Sequence, residues 1–208
     1  MTIDTKDMIN SILKSISRVD YIRPEDLPGI DIYMDQVTTF MDAQLASTKR
    51  HPEDKILTKT MINNYAKNNL LPSPVKKKYS NEHLLLLIFI YYFKNILSIN
   101  DIQTLLNPIT EKYFHSEDSF DLTQIYTEVF SMEKNQIEYL KRDLTKRYEV
   151  SRETFQEAPE EDKEFLQLFS FICLLSFDVY MKKMLIEKLI DDIKSREAQD
   201  ADNPRHKR

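Results

Sequence analysis

The segment LTKTMINNYAKNNLLPSPVKKKYS, residues 57–80, decides how the rest of this chain is interpreted. Its first half predicts a short helix, because the Thr58 hydroxyl can accept a hydrogen bond from a free amide at the helix start and Asn69 suits the left-handed position after a helix end. Two prolines then break the helical pattern before three consecutive lysines, and Ser80 can cap the next helix. The segment therefore predicts two capped helices joined by a turn and a short basic extended stretch.

Composition favours helices over sheets. The 208 residues contain a single glycine, Gly29, although hairpins and tight turns need residues with positive φ. A chain of this length can bury one substantial core with an appended helical part. We therefore expect an all-α fold, or a mainly α fold with a minimal β wing.

Charge is distributed unevenly along the chain. The net charge is −5, but residues 49–79 carry eight basic and two acidic side chains, a local charge of +6 that leaves −11 for the remainder. Because phosphate attraction acts over a Debye length of about 8 Å, a basic segment is more informative than the average charge. The basic segment is therefore a candidate contact for nucleic acid.

Apolar spacing predicts helices on both sides of the basic segment. Residues 34–45 repeat apolar side chains every three or four positions, with Asp31 as a candidate N-cap, and the polar stretch 46–56 predicts a loop. The run 84–90 is apolar at nearly every position and predicts a buried helix. A further helix is expected to begin at Ser98 and to end at Pro108, since proline disrupts helix interiors.

The helix predicted from residue 58 to 68 divides into an apolar edge and a polar face. Asparagine can pair bidentately with adenine in the major groove, and lysine can reach phosphate or guanine. Taken alone, a solvated face that happens to be rich in asparagine explains the pattern as well, and a lysine triplet is commonly only solubilising. The candidate DNA-binding residues of this helix and of the basic stretch 72–79 are Lys59, Thr60, Asn63, Asn64, Lys67, Lys76, Lys77, Lys78 and Tyr79.

Residues 58–71 and 77–106 resemble the DNA-binding domain of the mercury-resistance-regulator (MerR) superfamily. The resemblance implies a winged helix-turn-helix in which helix 58–68 reads the major groove of double-stranded DNA and the wing contacts phosphates. The chain departs from that pattern in its long loop 46–56 and in Asn63, where the superfamily usually has arginine. The matching residues are Tyr65, Asn69, Leu70 and Leu71, then Lys77, Tyr79, Ser80, Glu82 and Leu84, then Leu97, Ser98, Ile99, Asp101 and Ile102.

The sequence IDIYMDQVTTFMD, residues 30–42, together with the basic segment, also resembles an uncharacterised bacterial family known only as a domain of unknown function. With both resemblances the chain divides into four predicted regions. These are an N-terminal helix and turn (1–30), a MerR-like winged helix-turn-helix (31–108), a helical dimerisation or interaction region (109–196) and a disordered tail (197–208).

The C-terminal region is expected to be helical. Residues 122–148 show the three- and four-residue steps of a helix seam, and residues 165–193 form a wide apolar face that must meet either the preceding helix or a second protomer. We expect a homodimer through these helices. The run 165–177 is too short and too interrupted to cross a bilayer, so we interpret it as a buried helix and Cys173 within it as a buried, inert thiol.

The residue types that carry catalysis do not cluster. The four histidines are scattered, one glycine cannot build a phosphate-binding loop, and a lone cysteine supports neither a disulfide nor a thiolate metal site. We therefore expect no enzyme, no catalytic residue, no cofactor and no metal. The sequence shows no signal-peptide pattern, and we expect a cytoplasmic, bacterial protein that does not enter a membrane.

Two functions remain open at this level. The first is a dimeric, DNA-binding transcriptional regulator of MerR-like type, whose effector and operator the sequence does not identify. The alternative is a non-enzymatic helical protein-interaction adaptor that keeps the winged-helix scaffold and binds a protein partner through its acidic C-terminal half. An effector-sensing role for the C-terminal helices follows only by analogy with relatives of the MerR type.

Overall fold

The computed structural model describes residues 5–16, 21–116 and 118–202. Within them the chain is mainly helical and contains one two-stranded sheet, so the prediction of a mainly α fold with minimal β structure is confirmed. Short 3-10 turns lie at Pro24–Asp26 and Ala46–Thr48. The elements in chain order are α1 (Thr5–Ile16), β1 (Ile32–Tyr33), α2 (Met34–Gln44), α3 (Lys59–Lys67), β2 (Lys78–Tyr79), α4 (Asn81–Phe93), α5 (Ile99–Tyr113), α6 (Leu122–Ser131), α7 (Glu133–Arg152) and α8 (Glu160–Asp202).

The chain forms two compact units. The first combines Met1–Tyr21 with Phe130–Met184, and the second combines Ile22–Val129 with Leu185–Arg208. Helix α8 contributes its first part to the first unit and its last part to the second.

Helix α4 is the centre of the second unit. Every residue from 83 to 91 is buried, so the helix is covered on all sides, as its continuous apolar run predicts. Full burial of each large apolar side chain stabilises the fold by roughly 1.5–3 kcal/mol. The neighbouring elements complete this core with Ile32, Val37, Met41, Leu45, Ile62, Tyr65, Leu70, Leu71, Ile102 and Leu106.

A short antiparallel ladder joins the starts of α2 and α4. Strands β1 and β2 pair Ile32 with Tyr79 and Tyr33 with Lys78. Because α2 follows β1 directly and α4 follows β2 after the single residue Ser80, the ladder holds the two helix starts beside each other. The ladder also explains why the predicted cap at Asp31 is wrong, since residues 32–33 are extended and α2 begins at Met34.

The predicted caps of α4 and α5 are confirmed in position. The backbone amide of Ser80 donates to Nδ1 of His83 at 3.0 Å, so the histidine side chain closes the first turn of α4. Ser98 and Asp101 form a reciprocal capping box, in which the Asp101 amide donates to Ser98 Oγ at 3.2 Å and the Ser98 amide donates to Asp101 Oδ2 at 3.3 Å.

Two predicted helix ends are wrong. Helix α5 continues through Pro108 to Tyr113, because buried Ile102 and Leu106 attach the helix to the core while Pro108 itself is exposed. A carbonyl that loses its amide partner beside an exposed proline can bind water instead. Helix α8 continues to Asp202, so residues 197–202 of the predicted tail are helical, and residues 203–208 lie outside the described part.

In the first unit, α7 packs against one face of α8. The ring of Tyr148 meets that of buried Phe171 edge-on, with centroids 5.5 Å apart. The Gln167 side chain donates to the carbonyl of Arg152 at 2.8 Å. Arg147 also forms an ion pair with Asp178, with Nη2 and Oδ1 3.4 Å apart.

The predicted burial of the run 165–177 is wrong. Phe165 is 69% exposed and Phe177 is 65% exposed, and the Cys173 thiol is exposed rather than buried. The physical reason is that α7 covers only the face of α8 that contains Phe171. By length and composition alone, the segment of α8 from Glu160 to Gln199 is also apolar enough to cross a membrane.

Candidate nucleic-acid interface

Helix α3 has the two faces that the sequence predicts. Ile62 and Tyr65 are buried and attach the helix to the core. The five candidate DNA-binding residues of the helix are all exposed, and their positions place them side by side on the outer surface. They are Lys59, Thr60, Asn63, Asn64 and Lys67.

Both ends of α3 are closed by hydrogen bonds. Thr58 Oγ1 accepts from the Met61 amide at 3.2 Å, as predicted. At the other end Asn69 is left-handed, with φ 55°, and the amide of Leu70 donates to the carbonyl of Tyr65 at 2.9 Å. Together with the bond from Asn69 to the carbonyl of residue 66, this is a complete Schellman motif. The exposed face is therefore presented by a short helix with defined ends.

The lysine triplet forms a tight turn rather than the extended stretch that the sequence predicts. Lys76 has φ 51° and Lys77 has φ 64°, and the Lys78 amide donates to the Val75 carbonyl at 2.9 Å. Two successive residues with positive φ inside a hydrogen-bonded hairpin turn are typical of type I′, which normally contains Asn and Gly. A left-handed conformation costs a non-glycine residue roughly 1–2 kcal/mol. Two exposed lysines thus form the tip of a strained hairpin, which we call the lysine turn (residues 75–78).

The last two candidate residues of the basic stretch differ from Lys76 and Lys77. Lys78 is half-buried, and its Nζ lies 5.5 Å from the ring centroid of Tyr33 in the paired strand. Tyr79 is only 3% exposed, and its ring packs edge-on against His83. The prediction that Tyr79 contacts DNA is therefore corrected, because its strand position turns the ring into the core.

Acidic neighbours reduce the positive charge that the sequence count implies. Lys59 forms an ion pair with Asp35. Lys49 Nζ lies 2.8 Å from Asp42 Oδ2, and this hydrogen bond lowers the pKa of the Asp42 carboxyl. Sequence reasoning missed both acidic partners. The packing of α2 on α3 brings Asp35 near Lys59, and the turn after α2 brings Lys49 back to Asp42. Within the described residues, no ion pair engages Lys67, Lys76 or Lys77.

Comparison with known proteins identifies a family for this region. Residues 22–129 match the family model of a domain of unknown function, DUF1836, over more than half of the chain. The chain belongs to this family. The matched range coincides with the longer segment of the second compact unit, Ile22–Val129, and contains α3 and the lysine turn. Searches of curated proteins and of solved structures find no match.

The long loop between α2 and α3 of the DUF1836 domain is anchored at several points. Its last residues, Ile56 and Leu57, are buried, and Lys94 Nζ donates to the Ile56 carbonyl at 2.8 Å. Partial burial lowers the pKa of the Lys94 ammonium. At the start of the loop, the hydroxyl groups of Thr48 and Tyr91 form a hydrogen bond. The loop therefore sets α3 at a defined position relative to α2 and α4.

A buried histidine lies in the first turn of α4 in the DUF1836 domain. His83 is 1% exposed and is surrounded by the rings of Tyr79, Phe114 and His115, with centroid distances of 5.4, 4.9 and 6.3 Å. Burial lowers its pKa to about 4, so the ring is neutral at neutral pH. Glu82 accepts from the His115 amide at 2.9 Å. The described residues hold no cluster of three or more His, Cys, Asp or Glu side chains that could bind a metal ion.

Proposed function

We propose that this chain is a DNA-binding transcriptional regulator of MerR-like winged-helix type. In the proposed complex, the exposed face of α3 enters the major groove and the lysine turn contacts the adjacent phosphates. The observation that carries the proposal is the lysine turn itself, where Lys76 and Lys77 occupy strained left-handed positions at an exposed hairpin tip. Strained backbone positions concentrate at functional sites, and here the two strained residues are exposed lysines.

The chemistry of α3 supports the same function. Asn63 and Asn64 offer two carboxamides, each of which can donate to N7 and accept from N6 of adenine. Lys67, one turn further along, can reach a phosphate or a guanine. A helix of nine residues is about 13 Å long, which corresponds to roughly four base-pair steps of 3.4 Å. The face is therefore long enough to read a short half-site.

Binding should be strongly dependent on salt. Each phosphate contact contributes about 0.9 to the slope of log affinity against log salt concentration. Lys67, Lys76 and Lys77 are the lysines best placed to contribute. Lys59 and Lys78 would each have to leave an intramolecular partner before contacting DNA.

The proposal is tested by selecting bound fragments from a genomic DNA library with the purified chain and measuring affinity for an enriched duplex at several salt concentrations. A variant with Lys76→Gln and Lys77→Gln should lower the salt slope by about 1.8, since two contacts are lost. The matched control carries Lys146→Gln and Lys188→Gln, which remove the same charge from exposed positions on α7 and α8. No enriched fragment, or an equal loss in both variants, would refute the proposal.

A second candidate function is the helical protein-interaction adaptor. The observation that favours it is the exposed aromatic face of α8, since exposed apolar patches of this kind mark interaction sites. An adaptor would capture a stable protein partner through that face, and neither added DNA nor the two lysine-to-glutamine changes at the turn would alter the capture. Affinity purification of the native chain and of the turn variant distinguishes the two functions.

A further inference from the structure

Two aspartates on one side of α2 form ion pairs with lysines of the basic segment. Asp35 and Asp42 are seven residues apart, which is about two helical turns, so their side chains lie on the same face of the helix. Asp35 forms an ion pair with Lys59 at the start of α3, and Asp42 forms one with Lys49 beyond the end of α2. Each carboxylate therefore already binds a cation that could otherwise bind a phosphate.

The two ion pairs differ in how easily they can open. The side chain of Lys49 is only 12% exposed, so separating it from Asp42 would leave a nearly buried ammonium without its carboxylate. The side chains of Lys59 and Asp35 are 58% and 74% exposed, so water can replace either partner. The pair of Asp42 and Lys49 is therefore structural, whereas the pair of Asp35 and Lys59 can open and close in solution.

Lys59 belongs to the surface that meets DNA in the proposed complex. It is the first residue of α3, and exposed Asn63 lies one turn further along the same helix. The Lys59 ammonium can donate a charge-assisted hydrogen bond either to a phosphate oxygen or to a carboxylate oxygen of Asp35. Both acceptors are anionic, so they compete for the same cation.

We infer that Asp35 competes with DNA phosphates for Lys59 and thereby limits binding to DNA of unrelated sequence, an inference that rests on the proposed function. Phosphates are the same in every sequence, so a free Lys59 would strengthen binding to all duplexes. A genome offers far more unrelated sites than specific ones. Because Lys59 is already paired, it adds less to this background, and fewer copies of the protein are held at unrelated sequences.

A purely structural role explains the pair of Asp35 and Lys59 less well. The pair does join α2 to α3, but buried Ile62 and Tyr65 already attach α3 to the core. Exposed ion pairs contribute little to stability, because water solvates both charges well when the pair opens. Asp35→Asn should therefore leave the melting temperature close to that of the native protein while it changes the binding of polyanions.

Competition is measured by fluorescence anisotropy with a duplex of unrelated sequence at several salt concentrations. Asp35→Asn should free Lys59 for one phosphate contact, which makes the salt slope steeper by about 0.9 and strengthens binding roughly 8-fold at 0.1 M salt, with nearly unchanged affinity at 1 M. The matched control is Asp192→Asn, because Asp192 is 56% exposed and pairs with Arg196 on α8. It makes the same change in net charge and should leave the slope unchanged. Asp35→Glu keeps the carboxylate and should match the native protein.

A double-mutant cycle tests whether Asp35 acts through Lys59. On a Lys59→Gln background, Asp35→Asn should no longer make the salt slope steeper. The same increase without Lys59 would overturn the inference, because it would show that the carboxylate repels phosphates directly. A melting temperature of Asp35→Asn clearly below that of Asp192→Asn, measured by circular dichroism, would also overturn it, since the pair would then be structural.

Heparin-agarose chromatography separates this inference from the proposed function, because heparin is a polyanion without bases. Asp35→Asn should elute at a higher salt concentration than the native protein and than Asp192→Asn. Later elution of Asp35→Asn, in a protein that selects no DNA fragment, would refute the proposed function and support the competition of Asp35 with polyanions for Lys59. Selective DNA binding with equal behaviour of the two variants would overturn the inference and leave the proposed function in place.

Discussion

Replacing the lysine turn with the residues that its backbone favours should make the protein more stable and less able to bind DNA. The variant carries Lys76→Asn and Lys77→Gly. Both native residues have positive φ, and Asn-Gly is the preferred pair at the centre of a type I′ turn. The two properties should therefore move in opposite directions.

The stability gain follows from the strain. Removing the left-handed strain stabilises the fold by roughly 1–2 kcal/mol per lysine. Glycine has more conformational freedom in the unfolded chain, which reduces this gain by about 0.5–1 kcal/mol. The expected net gain for the double variant is about 1–3 kcal/mol. For a chain of this size, 1 kcal/mol raises the melting temperature by about 2–4 °C, so we expect a rise of roughly 2–12 °C by circular dichroism at 222 nm.

The expected loss of affinity follows from the two phosphate contacts that we propose for Lys76 and Lys77. Two contacts with a slope of about 0.9 each correspond to a factor of roughly 60 between 1 M and 0.1 M salt. Fluorescence anisotropy with a selected duplex should therefore show an affinity roughly 60-fold weaker at 0.1 M salt and a nearly unchanged affinity at 1 M. The variant with Lys76→Arg and Lys77→Arg keeps charge and strain, so it should match the native protein in both assays.

Different results would contradict the stability gain and the loss of DNA affinity. A lower melting temperature for the Asn-Gly variant would show that the native turn is not strained. A higher melting temperature with unchanged DNA affinity would show that the two lysines do not contact phosphate.

Three further predictions concern the support of this site. Burial favours the neutral ring of His83 and lowers its pKa from 6.5 to about 4. The resulting contribution to stability is complete above pH 6.5 and disappears as the pH falls to 4, a loss of about 3 kcal/mol. His83→Gln should remove most of this loss between pH 7 and pH 4. Urea midpoints at each pH measure it, and equal pH dependence in both proteins would contradict it. Asn69→Ala should lower the free energy of unfolding by about 1 kcal/mol, because alanine tolerates positive φ less well than asparagine; Asn69→Gly, which should not destabilise, is its control in the same titration. Leu87→Ala should cost about 2–5 kcal/mol, since Leu87 is 0% exposed; a cost below 1 kcal/mol would show that α4 is not tightly packed.

The sequence predicts best where a residue acts on the backbone nearest to it. Thr58 and Ser98 cap their helices with their own hydroxyl groups, and Asn69 takes the left-handed position after α3. The burial of α4 was also predictable, since an apolar run with no polar side leaves only full burial. These signals define the elements that hold the exposed face of α3.

Features that depend on partners elsewhere in the chain were not predictable. A strand of two residues has no periodicity, so β1 gave no signal, and without β1 neither the burial of Tyr79 nor the contact between Lys78 and Tyr33 could be inferred. Lysine has no preference for positive φ, so the lysine triplet did not indicate a turn. The apolar face of α8 indicates that burial against another surface is favourable, but the sequence does not identify whether α7 or a second copy provides that surface.

The second compact unit is built from two segments that lie far apart in the sequence, so it cannot be completed until late in synthesis. That unit contains the DUF1836 domain and also the last part of α8, where Ile190 is buried and Lys194 Nζ lies 2.7 Å from Asp101 Oδ1 at the start of α5. A ribosome therefore completes α3 and the lysine turn more than a hundred residues before it supplies the segment that closes the same unit. During that interval α5 lacks its ion-pair partner, so the unit that contains α3 and the lysine turn is completed late in synthesis, after both helices α6 and α7 have emerged.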